Sequence, residues 1–164
     1  MKMKMKILTV NAIIATLYVV LGMVVAPIGF MALQFRLPEI FNHLIVFNKK
    51  YFWGIILGVF ITNLFFSGLG WIDLVFGVAQ SAISLLLMIG ISKYVKGIIP
   101  RMIINTILFS ITMAIIAWEL VIVFDLPFLI TWATTALSEF IVMGIGIPLM
   151  YLLNKRLNFK KMID

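Results

Sequence analysis

The side chains in this sequence that could bind a ligand are few, and most of them are carboxylates and amides set in apolar surroundings. The chain contains six acidic residues, one histidine and no cysteine. Without cysteine it can form no disulfide, thiolate metal site or cysteine nucleophile. It also lacks a His-Glu-x-x-His pair, a glycine-rich phosphate loop and a serine with a recognisable histidine partner. We therefore expect binding of a polar ligand without catalysis, metal or cofactor.

Helical spacing gathers the polar residues into stripes that must avoid lipid. Glu39, Asn42 and His43 stand at positions i, i+3 and i+4 and share one helix face. Three further stripes consist of Asp73, Gly77, Gln80 and Ser84; of Asn105, Thr112 and Glu119; and of Thr131, Thr135, Ser138 and Glu139. Together with Asn63, these stripes are expected to converge on a polar cavity that opens outward.

Several of these residues also have purely structural interpretations. An ionisable group inside a membrane helix, such as Glu139, is functional by default, and a packing role or a structural pair is the alternative. The amides and hydroxyls can also link helices, at about 0.6 kcal/mol for each interaction. An isolated His43 is more typical of a hydrogen-bonded core residue than of a metal ligand. Trp118 is either an anchor at the membrane interface or a stacking wall for a flat ligand.

The elements that must position these side chains are membrane helices. Of the 164 residues, 64% are hydrophobic and only 12% are charged, whereas a soluble domain has about 25% charged residues. At about 20 residues for each crossing plus a connection, the length accommodates roughly six spans in one domain. We predict a single transmembrane domain over residues 1–164, with an all-α fold and spans near 7–26, 37–47, 51–67, 71–91, 98–123 and 127–153.

The positive charges predict how the spans are oriented. If the amino terminus is cytoplasmic, every Lys and Arg except Arg36 falls on the cytoplasmic side. Omitting the short second span would invert all later loops and destroy this pattern. Both termini are therefore expected in the cytoplasm of a multi-pass cell-membrane protein. The net charge of +7 reflects this topology, so nucleic-acid binding is not expected. Arg36, the exception, either pairs with an acid or anchors at the outer interface.

Four motifs, taken in order, resemble the QueT family. They are Gln-Phe-Arg-Leu-Pro-Glu at 34–39, Gly-x-x-x-Gly-x-x-x-x-Asn at 54–63, Gly-Trp-Ile-Asp-Leu-Val-Phe-Gly at 70–77, and Ser-Glu at 138–139 followed by Gly-Ile-Gly-Ile-Pro at 144–148. The resemblance covers nearly the whole chain. It implies a six-transmembrane-helix bundle of the type found in S components, the substrate-binding subunits of energy-coupling factor (ECF) transporters.

The resemblance also implies a function and its partners. The family's cargo is a queuosine precursor, a 7-deazaguanine with an aminomethyl group, and a transmembrane coupling subunit with two ATPase subunits drives transport. A ligand of this chemistry needs carboxylates, amides and an aromatic wall, so we expect Glu39 and Glu139 to be its principal carboxylates, Asn63 and Gln80 to read polar edges, and Trp118 to stack. The other candidate substrate-binding residues are Asn42, His43, Asp73 and Glu119.

The family docks on its partner through small residues of the first span, and here Ala12, Ala15 and Thr16 match that description. Packing within the chain is the alternative for these residues. Alternative functions are an S component for another vitamin or heterocycle, a stand-alone small cation transporter, or a structural membrane subunit.

Overall fold

The chain folds as a bundle of helices. The computed structural model describes residues 2–29 and 35–164, and every regular element in these ranges is helical. The α-helices are α1 (Lys2–Gly29), α2 (Leu44–Phe47), α3 (Phe52–Phe66), α4 (Trp71–Ile91), α5 (Ile98–Phe124), α6 (Phe128–Leu157) and α7 (Phe159–Ile163). Two 3₁₀ helices cover Leu37–His43 and Lys49–Tyr51.

Within the described residues, four helices are long and apolar enough to cross a membrane, namely α1, α4, α5 and α6. Helix α3, with 15 residues, and the segment Leu37–Phe47 are shorter. Large apolar side chains such as Trp53, Phe65 and Leu129 point outward, as expected for helices that face lipid. The fold is that of an all-helical, multi-pass membrane protein, and six crossings with cytoplasmic termini stay a prediction.

The segment predicted as the short second span lies inside the bundle. Its 3₁₀ helix packs against α1 and α6, and α2 contacts α4 and α5. Ile40, Leu44 and Ile45 are buried in this position. Because other helices surround the segment, its polar side chains are shielded from lipid.

Two glycines let α1 and α3 approach closely. A Cβ atom at Gly54 would lie 2.6 Å from Oδ1 of Asn11, and one at Gly58 would lie 2.7 Å from Cβ of Tyr18. Asn11 Oδ1 instead accepts a hydrogen bond of 2.8 Å from the Gly54 amide, and the Asn11 side chain donates to the Lys50 carbonyl at 3.1 Å. This close packing fixes the side chains of α1 that face the interior.

A short terminal helix, α7, which the sequence pattern did not predict, covers the end of the bundle at the 48–51 turn. Asn158 ends α6 in the left-handed conformation, with φ of 49°. Phe159 is buried, and its carbonyl accepts a hydrogen bond of 2.8 Å from the Tyr51 hydroxyl. Lys50 Nζ donates to Asp164 Oδ1 at 2.8 Å. These contacts join α7 to the turn before α3.

Candidate functional site

A buried ion pair lies at one end of the bundle. Arg36 Nη2 donates to Asp73 Oδ1 at 2.8 Å, and both residues are buried. The Asn63 amide donates to the backbone carbonyl of Asp73 at 3.1 Å. Asp73 stands in the first turn of α4, where the helix dipole favours an anion. The pair therefore joins the segment before the first 3₁₀ helix to α3 and α4, and Arg36 is not a surface anchor.

The Glu39 carboxylate is held by two donors. The Tyr18 hydroxyl donates to Oε1 at 2.8 Å, and the Asn42 amide donates to Oε2. The Glu39 backbone amide donates to the Arg36 carbonyl at 3.0 Å. Since an ionised carboxylate has about four acceptor positions, each oxygen of Glu39 keeps capacity for a further donor.

Two other carboxylates are buried without such support. Glu139 Oε1 and both carboxylate oxygens of Glu119 accept no hydrogen bond from the residues that the structure describes. Glu139 interacts electrostatically with Glu39 and Arg36, and Glu119 interacts with Asp73 and Arg36. A buried carboxylate without a partner is costly. These two residues are therefore the groups that a cationic ligand would stabilise most.

A half-enclosed cleft borders this cluster of charges. The accessible volume of this cleft is about 10 Å³, about the room that one water molecule needs, so side chains nearly fill it in this conformation. It is lined by Tyr18, Gly22, Val25, Arg36, Pro38, Thr62 and Asn63. The Thr62 hydroxyl has no partner among the described residues. The cleft thus combines apolar walls with polar groups that could read the edges of a small molecule.

Gln80 lies in a separate hydrogen-bonded group. Its amide donates to Thr112 Oγ1 at 3.1 Å, its carbonyl oxygen accepts from Ser81 Oγ at 3.1 Å, and Ser84 Oγ lies 2.6 Å from Thr112 Oγ1. Because these groups satisfy one another, this arrangement favours the structural interpretation of Gln80 as a link between α4 and α5.

His43 and Asn42 anchor the first 3₁₀ helix within the bundle. His43 Nε2 lies 2.9 Å from the Met143 carbonyl, and the Asn105 amide donates to the Asn42 carbonyl at 3.1 Å. His43 thus has the hydrogen bond expected of a core histidine. Across the described ranges, no group of three or more Asp, Glu or His residues could hold a metal ion.

Trp118 lies outside the cluster of charges. Its side chain is exposed, and its ring forms an edge-to-face contact with Phe128, with centroids 5.9 Å apart. Of the two interpretations of Trp118, this position favours the interfacial anchor, because the ring faces away from the neighbouring buried Glu119.

The three small residues predicted to dock a partner do not share one face. Ala12 and Thr16 are exposed on α1, whereas Ala15 is only 3% exposed and packs inside the bundle. Ala12 and Thr16 are therefore accessible to another subunit, whereas the burial of Ala15 favours the alternative of packing within the chain, and docking by these residues stays a prediction.

Sequence reasoning did not include Tyr18 and left the role of Arg36 open, although both line the cleft. A signal for Tyr18 was present, because Asn11, Tyr18 and Gly22 follow one face of α1 at spacings of seven and four residues. No local pattern indicates the pairing of Arg36 with a residue 37 positions away. Gln34, the first residue of the 34–39 motif, lies outside the described residues.

Comparisons with known proteins agree with the family that the four sequence motifs indicate. The model of the family described as "QueT transporter" matches residues 8–155. A relative from Lactococcus lactis subsp. cremoris (strain MG1363), named "Queuosine precursor transporter QueT", is 35% identical over 159 residues, which cover 92% of this chain and 93% of the relative. No solved structure matches the chain significantly.

The family match covers most of the chain and includes the elements that carry the buried charges, from Tyr18 in α1 to Glu139 in α6. The relative matches over nearly its full length as well. This protein belongs to the QueT transporter family.

Proposed function

We propose that this protein is the substrate-binding S component of an ECF-type transporter and that it binds a queuosine precursor, a 7-deazaguanine with an aminomethyl group. The chain forms a six-helix membrane domain with both termini in the cytoplasm and the cleft toward the outside. The placement of all Lys and Arg except Arg36 in the cytoplasmic segments supports this orientation.

One observation carries the assignment of the ligand's chemistry. The Glu139 carboxylate is 1% exposed, and its Oε1 atom has no hydrogen-bond partner in the described part of the chain. An aminomethyl cation would supply both the missing charge and the missing donors. The name of the Lactococcus relative supports the same ligand class.

The rest of the site suits the heterocycle of this ligand. Glu39 keeps acceptor capacity for ring N–H groups, and its hydrogen-bond donor Tyr18 lines the cleft together with Asn63 and Arg36. Asn42, His43 and Asp73 act by holding these groups in place. Glu119 belongs to the same group of charges, near Asp73 and Arg36. Gln80 and Trp118 are the two candidates for ligand contact that the geometry supports least.

The chain itself catalyses no reaction in this proposal. The sequence contains no nucleotide-binding phosphate loop, so the energy for uphill transport comes from two separate ATPase subunits through a transmembrane coupling subunit. Ala12 and Thr16 are exposed on α1 and form the face that the coupling subunit contacts. Small residues allow such close helix contact within a membrane.

The proposal is tested by titration of the purified protein in detergent. Calorimetry and thermal shift are measured with the aminomethyl, nitrile and queuine forms of 7-deazaguanine, and riboflavin, thiamine and biotin serve as controls. A ligand that binds only the folded protein raises its melting temperature. Tight and selective binding of the aminomethyl compound is the expected result.

The other outcomes of the titration distinguish the alternatives. Binding of a control vitamin would keep the S-component role and change the cargo. Failure to bind any of these compounds would overturn the proposal and favour a stand-alone cation transporter or a structural subunit.

A further inference from the structure

The two principal carboxylates of the site are held differently. Glu39 already accepts hydrogen bonds from Tyr18 and Asn42, whereas Oε1 of Glu139 accepts none from the described residues. Both carboxylates are buried, and they interact electrostatically. Hydrogen bonds within the protein therefore orient Glu39, whereas a ligand could donate the hydrogen bond that Glu139 Oε1 lacks.

Tyr18 is the donor that links Glu39 to α1. It is 3% exposed, its hydroxyl lies 2.8 Å from Glu39 Oε1, and its side chain lines the cleft. Its side chain packs closely against the backbone of Gly58, where an added Cβ atom would come within 2.8 Å of Tyr18 Cγ. The ring therefore has little freedom to move the hydroxyl away from the carboxylate.

We propose that Tyr18 is a positioning residue of the substrate site, which orients the Glu39 carboxylate so that its free acceptor positions meet the N–H edge of the heterocycle, while Glu139 receives the cationic arm. This inference rests on the proposed function. It assigns a role to a residue that the sequence pattern left unassigned, and it separates the roles of the two carboxylates.

The decisive variant is Tyr18→Phe, which removes a single hydroxyl. Because hydrogen bonds to charged groups are the stronger ones, we expect affinity for the aminomethyl compound to fall by roughly ten- to a hundredfold. The loss should be similar for the nitrile compound, since the heterocycle edge is common to both. Glu139→Gln, in contrast, should weaken binding of the aminomethyl compound more than that of the nitrile.

A double-mutant cycle separates a positioning role from a general structural one. If Tyr18 acts through Glu39, adding Tyr18→Phe to a Glu39→Ala protein, which has no side-chain acceptor for the hydroxyl, changes affinity less than threefold. If the full loss persists in that background, Tyr18 does not act through Glu39 and the inference is overturned.

Tyr51→Phe is the matched control, because it also removes a buried tyrosine hydrogen bond, here the one from Tyr51 in the turn before α3 to the Phe159 carbonyl of α7. It should lower the melting temperature without changing ligand affinity. If Tyr18→Phe does not fold, Glu39→Asp is the second variant, because it withdraws the carboxylate from the hydroxyl and leaves Tyr18 intact. Its affinity should fall at least tenfold.

The two proposals fail in distinguishable ways. If the unaltered protein binds no 7-deazaguanine, the proposed function fails, and this inference fails with it. If the unaltered protein binds the aminomethyl compound and Tyr18→Phe binds it with unchanged affinity, only the positioning role of Tyr18 is overturned. Unchanged affinity of Glu39→Asp would overturn the role of Glu39 in the site as well.

Discussion

The Arg36 guanidinium and the Asp73 carboxylate form an ion pair of 2.8 Å, with the Asp73 side chain completely buried. The pair connects the segment before the first 3₁₀ helix with the first turn of α4. It lies at the cleft, because Arg36 is one of the lining residues. Removing one charge of a buried pair is far more costly than losing an exposed pair, since the remaining charge stays desolvated.

We therefore expect Asp73→Asn to lower the free energy of unfolding by about 3 kcal/mol. Thermal unfolding in detergent measures this as a lower melting temperature. Asp125→Asn is the matched control, because Asp125 is exposed and its left-handed conformation, with φ of 54°, is tolerated by asparagine. Equal melting temperatures for the two variants would contradict a stabilising role for the pair.

In the proposed site, Glu139→Gln should weaken binding of the aminomethyl compound by roughly a hundredfold or more, because it removes the buried charge that we propose meets the cation. The fold should persist, because Oε1 of Glu139 accepts no hydrogen bond from the described residues. Replacing the buried carboxylate by a neutral amide also removes its desolvation cost. Calorimetry gives the affinity, and thermal unfolding gives the stability. Unchanged affinity would exclude Glu139 from the site.

If α1 carries the proposed docking face, Ala12→Leu and Thr16→Leu should prevent assembly with the proposed coupling and ATPase subunits and leave ligand affinity unchanged. Both residues are exposed on α1, so larger side chains can be accommodated within the chain itself. Co-purification with the coupling module and uptake by reconstituted vesicles are the measurements. Ala133→Leu, at an exposed alanine of α6, is the control and should assemble normally. Normal assembly of the α1 variants would show that docking uses another face.

Gly54→Ala should lower the free energy of unfolding by about 1–3 kcal/mol, as overpacking does. The new Cβ would lie 2.6 Å from Asn11 Oδ1 and 2.8 Å from the Asn11 carbonyl oxygen, and the backbone atom cannot rotate away. Gly90→Ala is the control, because nothing lies within 4 Å of that Cβ position. It should leave stability unchanged or raise it by up to about 1 kcal/mol. Similar effects of both substitutions would argue against close packing of α1 on α3.

Acid should loosen α7. The pKa of Asp164 is lowered from its ordinary value by the hydrogen bond from Lys50 and by that from Asn48. A lowered pKa in the folded state means that the contact stabilises above the ordinary carboxyl pKa and is lost as pH falls through the lowered value. The protection of the α7 amides against hydrogen exchange, expressed relative to the intrinsic exchange rate at each pH, should therefore fall on acidification. Asp164→Asn should remove the part of this acid response that depends on the carboxylate. An unaltered response would show that the Asp164 carboxylate does not hold α7 in place.

Much of the helical framework could be predicted from local sequence. Long apolar runs require helices in a membrane, because only helices satisfy their own backbone hydrogen bonds there. Gly70 and Gly97, both with positive φ, precede α4 and α5. Helix α7 was not predicted, because its burial depends on contact between Phe159 and the distant Tyr51.

The sequence by itself determined which side chains must be hidden. Glu39, Asn63, Asp73, Glu119 and Glu139 are all buried, since a charged or amide group facing lipid would be costly. The order of four motifs along the chain was also enough to indicate the family that the comparisons support.

Only the tertiary structure decided which of these groups meet. Arg36 pairs with Asp73, Tyr18 supports Glu39, Ala15 turns inward and Trp118 turns outward. Helical periodicity predicts which residues share a face of a helix, but it does not predict which neighbouring helix that face contacts. That choice depends on close approaches between distant segments, such as Gly58 against Tyr18, and these approaches follow from the packing of the whole bundle.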